Sequence, residues 1–159
     1  MSLATELNLD TPFEDLRHEA ALNVVHTANL FSSTGAALFR RYDLTEAQFN
    51  VLFALKYKRR DLTQSGLGER LVVTRASITS VLDRLEEKGL VERNNVPGNR
   101  RIYHVSLTPK GQDLIDAVEP VYREHLHYAL GDLSEKECVA LIRCLERVRM
   151  RTRQVRDKV

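Results

Sequence analysis

The sequence predicts a mainly α-helical protein with one small β-wing: a winged helix-turn-helix flanked by N- and C-terminal helices. Three observations carry this expectation. Residues 74–101, TRASITSVLDRLEEKGLVERNNVPGNRR, place Ile78, Val81, Leu82 and Leu85 at helical spacing, and Gly89 follows as a stop. Two alternating segments then flank the turn-forming Pro97, Gly98 and Asn99, which reads as a hairpin with a basic tip. Long helical patterns with their own capping signals occupy both ends of the chain.

The first long helix is expected over residues 11–41. Thr11 can cap it, Pro12 suits the first helical position, and Glu14 completes a capping box. Leu16, Ala20, Val24, Thr27, Leu30, Phe31, Thr34 and Leu38 trace its inner face, and Gly35 marks a close helix contact. The next helix opens with a Thr45–Gln48 capping box and a Leu44–Phe49 staple and runs to about Tyr57. Residues 58–61 form a short basic loop, either a solvated turn or a phosphate contact. Thr63 caps a third helix, with Leu67 and Leu71 facing inward, and Val72 and Val73 turn into the helix that begins near Thr74. Strands are expected over 90–94 and 101–107. Thr108 and Pro109 start a further helix packed through Leu114, Ile115 and Val118; Pro120 should kink or break it before it resumes over 121–130. Ser134 and Glu137 cap the last helix, whose stripe is Leu141, Ile142, Leu145 and Val148.

A chain of 159 residues with 43% apolar content can bury a real core. No run approaches the roughly 18 apolar residues of a membrane span. The segment MSLATELNLD has no basic stretch followed by an apolar run, so no signal peptide is expected and the cytoplasm is the simplest compartment. Cys138 and Cys144 are six residues apart in one helix, about 9 Å, too far for a direct disulfide within it.

The net charge of +2 hides an asymmetry. Residues 1–19 carry Glu6, Asp10, Glu14, Asp15 and Glu19 against Arg17; residues 147–159 carry Arg147, Arg149, Arg151, Arg153, Arg156 and Lys158 against Asp157. The two ends can therefore pair, within a chain or across a dimer, or the tail can simply be solvated. Residues 93–101 hold three arginines and no acid, a local pattern suited to nucleic acid. The expected organisation is an N-terminal dimerisation helix at 1–43, a DNA-binding winged helix-turn-helix at 44–107 and C-terminal dimerisation helices at 108–159. The expected partners are double-stranded DNA and a second copy of the chain, because a symmetric dimer doubles a short half-site.

Arg75, Ser77, Thr79 and Ser80 lie in the first turns of the recognition helix, where Arg75 can reach guanine edges and the hydroxyls can meet bases or phosphates. Arg84 lies later and can reach a phosphate or brace the domain through an acid such as Glu87. Arg100 and Arg101 at the wing tip suit the minor groove or the backbone, and Arg93 suits either bracing or DNA contact. No nucleophile elbow, metal motif or phosphate loop occurs, and the Gly66-Leu67-Gly68 segment is too short for the last, so neither an enzyme nor a required cofactor is expected. His125 and His127, two apart, point to different faces of a helix and make a poor metal pair. Two alternatives remain: a thiol-oxidation-responsive regulator using Cys138 at a helix start, and a protein-interaction winged helix without DNA binding, which would favour a neutral or acidic wing.

The stretches LTEAQFNVLFAL at 44–55, LTQSGLGERLVVTRASITSVLDRLEEKGLVER at 62–93 and PGNRRIYHVSLTPKG at 97–111 closely resemble the MarR family of bacterial transcriptional regulators. The resemblance implies a homodimeric regulator, a repressor by expectation, on a palindromic operator, released by a small aromatic acid, a metal or a thiol oxidant. It also implies an effector cavity between the long N-terminal helix, the 45–57 helix and the 108–130 helix. There Arg17, His18, His26, Tyr42 and Tyr57, with Arg40 and Arg41, are the polar and aromatic candidates. The family commonly carries Asp-x-Arg at the wing tip. Here Asn99 matches the acid and Arg101 the arginine, so a charged pair there gives way to weaker neutral hydrogen bonding.

Overall fold

The computed structural model describes residues 2–11, 13–58, 62–71, 75–96 and 99–156; for 75–76, 96, 99–102 and 156 it describes the backbone alone. The elements in order are α1 Leu3–Glu6, α2 Leu16–Arg40, α3 Glu46–Lys56, β1 Leu62–Thr63, α4 Gln64–Leu71, α5 Arg75–Glu87, β2 Val91–Val96, β3 Asn99–Leu107, α6 Pro109–Ala129 and α7 Glu135–Arg156. Contacts group the chain into two compact units, Met1–Glu119 and Pro120–Val159.

Short-range signals place most helix ends. Thr45 accepts the Gln48 N–H at 3.2 Å while the Gln48 side chain accepts the Thr45 N–H at 2.9 Å, the expected capping box of α3. Thr63 accepts from the Gly66 N–H at 3.1 Å and caps α4. Ser134 and Glu137 close a reciprocal box at the start of α7. Gly89, at φ 68°, ends α5: its N–H donates to the Glu86 carbonyl and the Leu90 N–H to the Leu85 carbonyl, the paired bonds of a Schellman motif.

Three expectations need correction. The long helix begins at Leu16 rather than near Thr11, because the Asp15 carboxylate accepts the Arg17 N–H at 2.8 Å and supplies the cap. Pro12 lies outside the described residues. The expected inner face of that helix is largely exposed: Leu16 is 79% exposed, and Ala20, Val24, Thr27, Leu30 and Thr34 are also open. Only Gly35 and Phe39, near its C-terminal end, are buried, with Phe39 stacked on Phe49 at 4.3 Å. Finally, of the kink or break expected at Pro120, the break does not occur: the helical assignment of α6 continues from Pro109 to Ala129. The missing N–H leaves the carbonyl of Asp116 without a helical donor, and that residue is exposed, so water can serve it.

Within Met1–Glu119 the core joins α3, α4 and α5 to the sheet and α6. Leu52, Leu67, Leu82, Leu85, Val105, Ile115 and Val118 are fully buried. The sheet has the order β1-β3-β2, all antiparallel. The wing strands are longer than expected. β1, which pairs Leu62 with Val105 and Thr63 with His104, is an element that two residues of sequence do not signal. Within Pro120–Val159 no described residue from 120 to 155 is buried, although Leu141, Ile142, Val148 and Met150 are apolar.

Candidate nucleic-acid interface

The recognition helix α5 is held from three sides. Ile78, Leu82 and Leu85 bury its inner stripe. Gln64 on α4 donates to the Thr79 hydroxyl at 2.5 Å. Arg93 on β2 reaches back to α5 with both terminal nitrogens, 2.6 Å from Asp83 and 2.7 Å from Glu86. Sequence left Arg93 open between bracing and DNA contact; these two ion pairs make it the brace between wing base and helix. The C-terminal end of α5 is fixed as well, since the Thr108 hydroxyl donates to the Gly89 carbonyl at 2.7 Å and the Thr108 N–H to the Leu90 carbonyl at 3.2 Å.

These attachments leave Ser77 and Ser80 exposed on α5. Thr79 is half-buried beneath its bond from Gln64. Arg75 is the first residue of α5, but its side chain lies outside what is described. The same is true of Asn99, Arg100 and Arg101, whose backbone opens β3 at the distal end of the hairpin. Residues 59–61, 72–74, Pro97 and Gly98 are not described, so the basic loop, the α4–α5 turn and the wing turn expected there lie outside the structure. Arg84 is nine residues after Arg75, about 13 Å further along the helix, where it lines a cleft with Arg40 rather than the first turns.

The residues expected to surround an effector are spread out. Arg17 and His18 stand at the start of α2, where the His18 ring meets Phe13 edge-on at 5.9 Å. His26 lies 3.3 Å from Glu6 of α1. Tyr42 follows the end of α2, a helix about 37 Å long, so a pocket made by one chain cannot include both Tyr42 and Arg17. Tyr57 donates to Glu119 at 2.5 Å.

Sequence reading missed the group around that carboxylate. Glu119 is only 5% exposed, and Lys56 Nζ lies 2.5 Å from it and 2.6 Å from Asp116. Hydrogen bonds to Asp116 and Glu119 push the Lys56 ammonium up to about 12, and the same lysine holds the Asp116 carboxyl below its usual range. One signal was available: Glu119 stands eight residues after Gly111 and four after Ile115, among the buried positions of α6. No group of three or more histidines, cysteines, aspartates or glutamates among the described residues could hold a metal ion.

Residues 42–102 match the model of the MarR family. The HTH-type transcriptional regulator MhqR of Bacillus subtilis is 30% identical over 118 residues, which cover 74% of this chain and 81% of that protein. The chain belongs to the MarR family. As a MarR-family protein it is a DNA-binding transcription regulator rather than an enzyme. Solved structures agree on the fold. MepR of S. aureus, crystallised with DNA, superposes with a TM-score of 0.75 over 80% of this chain and 94% of MepR at 22% identity. BpsR of Bordetella bronchiseptica, whose DNA binding is regulated by 6-hydroxynicotinic acid, superposes with a TM-score of 0.66 over 79% of this chain and 98% of BpsR at 26% identity. No helix among the described residues is long and apolar enough to cross a membrane.

Proposed function

We propose that this MarR-family chain is a homodimeric repressor that reads a palindromic operator with α5 and the β2–β3 wing and is released by a small aromatic acid. The observation that carries the reading is the rigid coupling of α5 to the wing through Arg93, which delivers a helix and a basic hairpin as one body. In this reading Arg75, Ser77 and Ser80 face the major groove, Arg100 and Arg101 take the minor groove or the backbone, and Thr79 supports the helix. The DNA-binding part is 44–107, and residues 1–43 and 108–159 serve the dimer. Arg101→Ala should weaken operator binding at least roughly tenfold and reduce the salt slope by about one contact. Operator titrations at several salt concentrations read both quantities, and unchanged values would remove the wing from the interface.

Two observations support the dimer. The second unit buries none of its described residues, and α2 leaves Leu16, Val24, Val25 and Leu30 open to solvent. Apolar helical faces of that extent call for a partner surface. Sedimentation should give a dimer at micromolar concentration, and Ile142→Asp, at an exposed position of the α7 stripe, should shift it to monomer. A monomeric wild type would end this reading. The aromatic-acid effector is supported by the relationship to BpsR, and operator release in a screen of such acids is its test.

A further inference from the structure

The long helix α2 is seated on the winged unit at its C-terminal end, where Gly35 and Phe39 are buried while most of its remaining length is exposed. Phe39 stacks on Phe49, and the Ser32 hydroxyl donates to the Glu46 carboxylate at 2.5 Å; both contacts join α2 to α3. A third contact reaches the recognition helix. Lys88, the residue that follows α5, donates from its ammonium to the Asp43 carbonyl and lies 3.0 Å from the Asp43 carboxylate. The place suits a cation. The Asp43 N–H donates to the Arg40 carbonyl at 3.1 Å and the Leu44 N–H to the Phe39 carbonyl at 3.0 Å, the same pair of bonds that Gly89 and Leu90 make at the end of α5. The negative end of the α2 dipole therefore faces the ammonium. Asp43 occupies the left-handed position of that turn, at φ 54°, where glycine is the usual residue. Aspartate there accepts strain that glycine would avoid, and it keeps a carboxylate beside Lys88. The arrangement repeats one step on, where Lys110 of α6 donates to the Lys88 carbonyl at 2.7 Å. Two lysines thus tie the end of α2, the end of α5 and the start of α6 in series.

We propose that Lys88 is a positioning residue whose latch on Asp43 sets the angle between α2 and the recognition helix, and through it the half-site spacing that the dimer accepts. The inference rests on the dimer reading above, in which residues 1–43 help to join the two copies. In a two-fold dimer the separation of the recognition helices must match that of the half-sites. Helix α2 is about 37 Å long, so a tilt of about 5° at its base shifts its far end by about 3 Å, close to the rise of one base pair. A loose base lets one dimer fit neighbouring spacings; a latched base selects one. Lys88 lies 13 residues after Arg75, about 20 Å along the helix from the first turns, so it acts through the placing of α5 rather than by touching bases. The Asp43 carboxylate is largely exposed and its attraction is screened, so the bond to the carbonyl gives the latch its direction.

The test compares two duplexes on the full chain. The first is the palindromic duplex that the wild type enriches most from a random double-stranded library; the second is the same duplex with one base pair inserted at its centre. The wild type should prefer the first at least roughly tenfold. Lys88→Met removes the donor from both Asp43 contacts but leaves the Lys88 carbonyl to Lys110, and Asp43→Lys sets two ammonium groups against each other. Each variant should reduce the preference at least about threefold. Loss of charge or of folded protein weakens both duplexes alike and cancels in the ratio, so a merely structural role leaves the ratio unmoved. The proposal is overturned if either variant keeps the wild-type ratio, or if the wild type enriches no palindrome or binds the two duplexes equally. Sedimentation separates it from the reading it rests on: a monomeric wild type ends both, whereas a dimer with unmoved ratios ends the latch alone.

Discussion

Gly111→Ala is expected to cost about 3 kcal/mol of stability and to lower the melting temperature by roughly 6–12 °C. A Cβ on Gly111 would sit 1.9 Å from the Leu90 carbonyl oxygen and 2.9 Å from its carbonyl carbon, both backbone atoms with little room to yield. The contact exists because α6 starts against the Schellman turn that ends α5. The Thr108 hydroxyl accepts the Gly111 N–H at 3.0 Å and donates to the Gly89 carbonyl, while the Thr108 N–H uses the same Leu90 oxygen. Relieving the clash therefore pulls on the end of the recognition helix and the base of β2 together. Gly89→Ala provides the comparison. Its φ of 68° makes alanine strained, but nothing lies within 4 Å of the added carbon, so the cost should be about 1–2 kcal/mol. Thermal denaturation of both variants checks the order, and an equal or smaller loss for Gly111→Ala would show that the α5–α6 junction yields easily.

This pair of glycines also separates what sequence could convey from what it could not. Gly89 follows an apolar stripe and precedes a strand, so its role is local and legible. The Thr45–Gln48 and Ser134–Glu137 boxes are legible for the same reason: partners three residues apart meet in any helix that starts there. At the N-terminus two local signals compete, and Asp15 takes the cap that Thr11 offered as well. Gly111, in contrast, matters through an atom 21 residues away, and β1 is a strand only because β3 pairs with it. Gly35 drew attention as a close-contact position and is indeed buried, whereas the rest of the α2 stripe shows the limit of periodicity. A repeat of apolar residues declares that a face exists but not what covers it, and here most of that face remains open within the chain. The candidate interface divides along the same line. Its helix and wing were legible, but the Arg93 brace needed the spatial approach of Asp83 and Glu86, and the Arg40–Arg84 cleft needed residues 44 apart.

The second large effect should come from Lys56→Met, expected to cost about 2–3 kcal/mol because it removes charged hydrogen bonds to a nearly buried carboxylate. Lys56 Nζ is 2.5 Å from Glu119 and 2.6 Å from Asp116, and Tyr57 also donates to Glu119. Methionine keeps most of the length of the side chain and loses the charge, so Glu119 keeps its desolvation with less to offset it. Adding Glu119→Gln should recover much of the loss, since a neutral amide is cheaper to bury than a carboxylate facing a thioether. Urea unfolding of the two single variants and the double variant gives the coupling; losses that simply add would show that the lysine and the carboxylate act independently. The pH dependence follows from the directions of the shifts. The Lys56 ammonium is raised from 10.5 to about 12, so its contribution is complete below pH 10.5 and fades as pH rises through about 12. The Asp116 carboxyl is lowered from 3.8, so its contribution is present above that value and is lost as pH falls through the depressed pKa. The pair should thus contribute evenly across the neutral range. A difference between wild type and Lys56→Met that changed between pH 6 and 9 would place another titrating group in the cluster, and one that persisted unchanged well above pH 12 would mean that the lysine charge is not what the carboxylates require.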